Sequence, residues 1–143
     1  MTIVMNRQAL AAFLRRDFGQ VADEITVQEV TEQGALVRLA VSGRHLRPGG
    51  TVSGPAIFAL ADVGIYLAIL SRIGPQALAV TTSASVDFLR KPAAGADLLA
   101  DVRILKLGRR LAVCDALIRS DGQAAPVARA AMTYAIPPEN GVK

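Results

Sequence analysis

The longest apolar stretch of the chain carries a single acidic residue near its centre. Residues 56–70 form its apolar part, and Asp62 is the only charged residue among them. A membrane-spanning helix needs about 20 apolar residues and tolerates a central acid poorly. Apolar side chains occur at helical spacing on every side of this stretch, which is typical of a helix surrounded by protein. The stretch therefore predicts a buried helix of a soluble fold.

Capping signals bound this helix at both ends. Ser53 or Gly54 is suited to cap its start, and Pro55 fits the first turn, where a missing N–H costs nothing. The helix is expected to run to about Ile73 and to stop at Gly74-Pro75.

One further helix and six strands account for most of the remaining chain. Apolar spacing predicts the helix over residues 6–18, and period-2 alternation predicts strands over 25–30, 35–41, 80–89, 98–107, 111–119 and 127–136. In a chain of 143 residues, a helix that is apolar all round must be wrapped by the sheet. The order indicates an α+β hotdog fold. It would be one domain over residues 1–143, with a curved antiparallel sheet around one long central helix and an N-terminal helix.

Composition limits the partners and the chemistry. The 16 Lys and Arg exceed the 12 Asp and Glu, which favours an anionic partner. With no Trp, 2 Tyr and 4 Phe, the chain lacks the aromatic platform of a nucleic-acid binder, so a small phosphate-bearing ligand fits better. One Cys and one His exclude an internal disulfide and argue against a zinc site. The N-terminus lacks the apolar region of a signal peptide, so we expect a cytoplasmic protein that enters no membrane.

Four short motifs resemble a known family. The segment of residues 50–55, Gly-Thr-Val-Ser-Gly-Pro, followed by Leu60-Ala61-Asp62, is similar to the loop and helix signature of hotdog-fold acyl-CoA thioesterases of the phenylacetate-pathway (PaaI-like) type. The strand start Val80-Thr81, the turn over residues 87–92 and the hairpin over residues 106–111 resemble later parts of that family. The likeness covers roughly residues 44–136.

The resemblance implies thioester hydrolysis of an acyl-CoA with a short, medium or aromatic acyl group. The Gly54 backbone N–H, at the positive end of the helix dipole, would bind the thioester oxygen as negative charge develops. Asp62 would be the general base for water or the nucleophile that forms an anhydride, and the family leaves this choice open. Thr81 would hydrogen-bond to the water or to Asp62. The chain departs from the family at Ser53, where a His is common, and at Arg47, where an Asn is common.

The spacing of the two central residues has a consequence for assembly. Gly54 and Asp62 are eight residues apart on one helix, which corresponds to about 12 Å. One acyl carbon cannot lie within about 3 Å of both groups, so they must come from different subunits if both act. We therefore expect a homodimer with composite sites, as in the family, and a dimer of dimers beyond it.

Other residues are candidates for substrate binding, with an ordinary structural role as the alternative for each. His45 is a loop-packing residue or a binding residue, and Tyr66 either lines the acyl pocket or only packs there. Charge-assisted hydrogen bonds to the coenzyme A phosphates are the expected role of the basic turn residues. The full substrate-binding set is His45, Arg47, Ser53, Tyr66, Arg90, Lys91, Arg109 and Arg110. No metal is expected, and no cofactor besides the coenzyme A of the substrate.

Two other functions remain open. A non-catalytic acyl-CoA binder or sensor would use the same pocket without hydrolysis. The departures from the family at Ser53 and Arg47 are compatible with this function. A hotdog hydratase or dehydratase usually pairs a catalytic His with an acid. The lone His45 is followed by Leu46-Arg47-Pro48 rather than by a dehydratase-type loop, so this function ranks lower.

Overall fold

The computed structural model describes residues 2–138. The expected single domain covers residues 1–143, and the interpretation of the N-terminus includes residue 1. Residues 1 and 139–143 lie outside the described residues.

The apolar stretch forms one long helix, α3, over Gly54–Ile73. The Ser53 side chain accepts a hydrogen bond from the Ala56 N–H at 3.2 Å, and this caps its start. Gly74, with φ of 90°, ends the helix in a backbone conformation that side-chain-bearing residues rarely adopt. The helix is long and apolar enough to cross a membrane, but 78% of its most apolar window is buried inside the protein. The prediction of a buried helix with these caps is confirmed.

Within residues 2–138 the sheet has six strands, and every neighbouring pair is antiparallel. Two helices precede it, and α3 lies against all six strands. The predicted hotdog fold is confirmed. The elements are α1 (Arg7–Asp17), α2 (Gly19–Ala22), β1 (Ile25–Val30), β2 (Gly34–Leu39), α3 (Gly54–Ile73), β3 (Val80–Phe88), β4 (Leu98–Leu107), β5 (Leu111–Ser120) and β6 (Pro126–Ala135), with a 3₁₀ turn at Gly43–His45. The strand order is β1-β2-β4-β5-β6-β3.

Local hydrogen bonds explain where the elements differ from the predictions. The short helix α2 is not predicted from the sequence. Strand β2 ends at Leu39 rather than at Val41. The Ala40 N–H still donates to the Glu24 carbonyl at 2.8 Å, but the Glu24 N–H donates to the Val21 carbonyl at 3.0 Å instead of returning to Ala40. The Val41 N–H donates to the Asp97 carboxylate at 2.9 Å. Two N–H groups are thus taken by partners outside the strand ladders, so the ladders stop here.

The core lies between α3 and the sheet, and α1 covers one side of α3. Phe13 of α1 packs against Tyr66 of α3 with ring centroids 6.0 Å apart. Cys114 of β5 is fully buried, as expected for a core residue. Burial raises the pKa of its thiol to about 12, so it stays protonated and inert.

Among the described residues, strand β3 pairs only with β6, so it forms one edge of the sheet. Its apolar ends are open to solvent in the single chain: Val80 is 56% exposed and Phe88 is 57% exposed. Leu78, just before the strand, is 79% exposed. An unpaired edge with exposed apolar side chains is suited to pairing with another chain.

Candidate active site

Two hydroxyl groups converge on one oxygen of the Asp62 carboxylate. The Thr81 Oγ1 hydroxyl donates to Oδ1 at 2.5 Å. The Tyr134 hydroxyl lies 2.7 Å from the same Oδ1 and 2.9 Å from the Asp62 main-chain carbonyl. No hydrogen bond from residues 2–138 reaches Oδ2, and Asp62 lines a cavity. The carboxylate is therefore held by one oxygen, while the other is left for a ligand.

A β-bulge brings Thr81 to this position. Thr81 pairs with Tyr134 and Ser83 pairs with Thr133, so Thr82 is the extra residue on β3. Strict alternation would have put Thr81 on the same side as Ser83. The bulge instead turns Thr81 toward the helix, while the Thr82 hydroxyl donates to the Thr133 carbonyl at 3.2 Å. The expected hydrogen bond between Thr81 and Asp62 agrees with this geometry, although the strict alternation expected for β3 is wrong at this end.

The cavity beside Asp62 has a volume of about 290 Å³ and an aromatic lining. Tyr66 is fixed there because its hydroxyl donates to the Ala77 carbonyl at 3.0 Å. Burial, and secondarily the Asp17 carboxylate, raises the pKa of Tyr66, so the phenol stays neutral. The other lining residues are Asp17, Phe18, Gln20, Asp62, Val63, Ala77 and Tyr134. A cavity with aromatic walls and a few polar groups beside the Asp62 carboxylate is suited to hold a substrate there.

The start of α3 offers a free backbone donor. The first intrahelical bond runs from the Ile57 N–H to the Ser53 carbonyl, and the Ser53 hydroxyl takes the Ala56 N–H. Pro55 has no N–H, so the Gly54 N–H is the donor of the first turn left for a ligand. Gly54 lies against Phe88, because a Cβ added to Gly54 would be 3.4 Å from the Phe88 ring.

Within one chain these two parts of the site are far apart. Asp62 lies at the Thr81 end of β3, whereas Gly54 lies at the Phe88 end. Their eight-residue separation along α3 corresponds to about 12 Å. One chain therefore does not bring the two groups to a common substrate atom.

His45 and Arg47 lie in the loop before α3. His45 is buried, its Nδ1 accepts the Ser42 N–H at 2.9 Å, and its Nε2 is 3.3 Å from the Glu24 carboxylate. The His45 carbonyl accepts the Ser53 N–H at 2.8 Å, so this residue holds the loop that carries Gly54. His45 is thus packed within the loop, and the Arg47 side chain is exposed in a turn.

The basic pairs lie at opposite ends of β3. Arg109 and Arg110 line a cavity of about 540 Å³, and Gln76 lines it too. The next residue, Ala77, lines the cavity beside Asp62, so the two cavities are neighbours. Arg90 and Lys91 are exposed beyond the Phe88 end, where the Arg90 N–H donates to the Val127 carbonyl. Residues 2–138 contain no group of three or more His, Cys, Asp or Glu side chains arranged to hold a metal ion.

Tyr134 is the site residue that sequence analysis misses. It lies at the end of an inward-facing series on β6, and the other members are Ala128, Ala130 and Met132. That alternation identifies it only as a core residue. The contact with Asp62 depends on the pairing of β3 with β6 and on the bulge, and neither is visible in a single strand.

A six-stranded antiparallel sheet wrapped around one buried helix defines the hotdog class of proteins. Comparison with known families agrees: the model of the thioesterase superfamily matches residues 49–127, more than half of the chain. The chain belongs to the hotdog thioesterase superfamily and to its PaaI-like type. The resemblance of the four motifs is thereby confirmed.

Several relatives support this assignment. A candidate thioesterase from a Silicibacter species is 53% identical, with a TM-score of 0.90 and 96% of each chain covered. A mutant of the phenylacetic acid degradation protein PaaI from Thermus thermophilus is 30% identical, with a TM-score of 0.68, over 87% of this chain and 98% of that one. A candidate esterase from Pseudomonas aeruginosa is 36% identical over 86 residues. That match spans 59% of this chain and 63% of the relative, just under two thirds of its length.

Proposed function

We propose that this protein is an acyl-CoA thioesterase whose reacting carboxylate is Asp62. The observation that carries the proposal is the arrangement of that carboxylate: Oδ1 is held by the Thr81 and Tyr134 hydroxyls, while Oδ2 is left beside an aromatic-lined cavity. A charged group in the middle of a buried helix is costly to the core, which favours a role in chemistry for Asp62. Membership of the thioesterase superfamily supports the same reaction.

The reaction uses Asp62 and Gly54 in two roles. Asp62 takes a proton from the attacking water, or attacks the thioester carbon itself to form an anhydride that water then hydrolyses. The Gly54 N–H donates to the carbonyl oxygen as it gains negative charge, and the dipole of α3 adds to this stabilisation. The C–S bond breaks, coenzyme A leaves as a thiol, and the free acid remains. No cofactor is required beyond the coenzyme A of the substrate.

We further propose that the two roles are filled by different subunits of a homodimer. Strand β3 is an open edge with exposed apolar ends, so two copies are suited to pair through it in antiparallel fashion. A two-fold axis near Ala84 would bring the Phe88 end of one strand beside the Thr81 end of the other. Because Gly54 packs against Phe88, it would arrive beside Asp62 of the other copy. A dimer of dimers would add a second interface elsewhere.

The same antiparallel pairing would gather the basic residues around one site. Arg109 and Arg110 lie at the Thr81 end of β3, with Leu111 and Val80 both opposite Ala135. Arg90 and Lys91 lie beyond the Phe88 end, which the pairing carries to the Thr81 end of the other copy. Both pairs would then flank the composite site, where they would bind the coenzyme A phosphates. This arrangement supports an acyl-CoA as the substrate, and we propose a cytoplasmic location for the enzyme.

A thiol-release assay with a panel of short, medium and aromatic acyl-CoAs tests the proposal. Cys114 is buried with a raised pKa, so the native protein adds no thiol signal of its own. We expect release with at least one substrate and a loss of about a hundredfold or more in Asp62→Asn. Tight acyl-CoA binding without release would indicate a non-catalytic binder or sensor, and hydration of an enoyl-CoA would indicate a hydratase. Either result would overturn the proposal.

A further inference from the structure

The Tyr134 hydroxyl is placed to orient the Asp62 carboxylate. The residue is only 3% exposed, and its hydroxyl lies between Oδ1 and the main-chain carbonyl of Asp62. A phenol has one proton to donate, and the charged carboxylate oxygen is the stronger acceptor and the nearer one. The bond joins β6 to the middle of α3, so it ties the carboxylate to the sheet.

The ring that carries this hydroxyl has little freedom to move. Tyr134 stacks on Tyr66 with ring centroids 6.1 Å apart and an interplanar angle of 29°. Tyr66 is in turn held by Phe13 and by its own bond to Ala77. A rigid ring gives the hydroxyl a defined position, which is what an orienting contact needs.

Two donors on one oxygen determine which oxygen is available. Thr81 and Tyr134 occupy Oδ1 from adjacent strands, as direct cross-strand partners. Rotation of the carboxylate about its last bond would break both hydrogen bonds at once. Oδ2 is therefore kept toward the cavity, in position for a water molecule or a thioester carbon.

We propose that Tyr134 is a positioning residue, which fixes the orientation of Asp62 and thereby sets the rate of the thioester hydrolysis. The inference rests on the proposed function for its effect on rate, but the Asp62–Tyr134 contact itself can be tested without any activity. Burial, and secondarily the negative charge of Asp62, raises the pKa of Tyr134 well above its usual range. Its hydroxyl therefore remains a donor throughout the neutral and mildly alkaline range.

The test compares Tyr134→Phe with a matched control on the same strand, Thr133→Val. The first variant keeps the ring and its stacking but removes the hydroxyl. The second removes a hydroxyl from the neighbouring residue, which lies on the other face of the sheet and contributes no side-chain bond to Asp62. We expect kcat of Tyr134→Phe to fall about ten- to a hundredfold with KM unchanged, and Thr133→Val to keep wild-type kinetics. An unchanged kcat in Tyr134→Phe, with Asp62→Asn inactive, would overturn the inference and leave the proposed function standing.

A second readout, which needs no activity, is used if the wild-type protein is inactive or if a variant folds poorly. The ¹³Cγ resonance of Asp62, assigned from its absence in Asp62→Asn, reports the environment of the carboxylate directly. The chemical shift of this resonance should change in Tyr134→Phe and remain unchanged in Thr133→Val. If it stays in place in both, the inference is wrong. If the wild type releases no thiol from any acyl-CoA but the resonance moves, the proposed function fails together with the effect on rate, and the positioning of Asp62 by Tyr134 stands.

Discussion

Thr81 and Tyr134 are direct partners across strands β3 and β6, and both of their hydroxyls lie within 2.7 Å of the same oxygen of Asp62. The bulge at Thr82 makes this possible, because it places Thr81 on the helix-facing side of the sheet. The site is thus assembled from one helix and two strands that are distant in sequence.

The hydroxyl of Thr81 should matter more than its shape. Thr81→Val keeps the volume of the side chain but removes the donor to Asp62, whereas Thr81→Ser keeps the donor. We expect Thr81→Val to lower kcat about tenfold or more, because a hydrogen bond to a charged group is worth about 1.5–3 kcal/mol. Thr81→Ser should retain much more of the activity. Equal kcat values for the two variants in the thiol-release assay would contradict a role for this bond.

The Gly54 N–H can be removed without changing the helix start. Ser53 has φ of −74° and ψ of 155°, the extended conformation that a following proline requires. Proline also fits the first helical position, so Gly54→Pro should fold while losing the N–H. We expect kcat to fall about a hundred- to a thousandfold, as for the loss of an oxyanion donor.

Gly54→Ala is the matched variant for that test. It keeps the N–H, and its Cβ would meet the Phe88 ring at 3.4 Å, an ordinary contact distance. It should therefore lose much less activity than Gly54→Pro at similar thermal stability. If the alanine variant is as inactive as the proline variant, the available space rather than the N–H is what matters at this position.

The dimer should depend on the edge strand β3. Ala84 lies at the middle of this strand and is exposed in the single chain, so Ala84→Lys should leave the fold of each chain intact. Near a two-fold axis it would set two like charges against each other. We expect light scattering to show monomers and thiol release to be lost together. Ala124→Lys, in the exposed loop before β6, is the control and should remain dimeric. An active monomer would contradict the composite site.

Stability should decline in alkaline solution. Burial raises the pKa of Tyr134 above its ordinary value of 10.0 and that of Cys114 from 9.0 to about 12. In the unfolded chain both groups lose their protons at the ordinary values, so the unfolded state binds fewer protons and stability falls as pH rises above about 9. Each group contributes a slope of up to about 1.4 kcal/mol per pH unit.

Urea unfolding followed from pH 8 to pH 11 measures this decline. Cys114→Ala removes one of these groups, so its free energy of unfolding should decline less steeply with pH, even though that free energy is lower than the wild type's at pH 8. If the two proteins decline in parallel, the Cys114 thiol is not the group responsible.

The main elements are predictable from the sequence because their signals are local. Ser53 and Gly74 bound α3, and the alternation of β5 and β6 is regular enough to define both strands. The proposed roles of Asp62 and Gly54, by contrast, follow from the family resemblance. The Asp62–Tyr134 contact could not be predicted, because it depends on which strands are neighbours and on one extra residue in a ladder. Strand β3 follows α3 directly in sequence, but in the sheet it lies beside β6, the last strand within residues 2–138.

The central claim is that Asp62 of one subunit works with Gly54 of the other, and mixed dimers test it most directly. Asp62→Asn and Gly54→Pro chains, each inactive alone, would be co-expressed with different affinity tags so that mixed dimers can be isolated. A mixed dimer would carry one site with both substitutions and one site with neither, so it should regain about half of the wild-type thiol release per dimer. If each subunit held its own complete site, every site would carry one substitution and the mixed dimers would stay inactive.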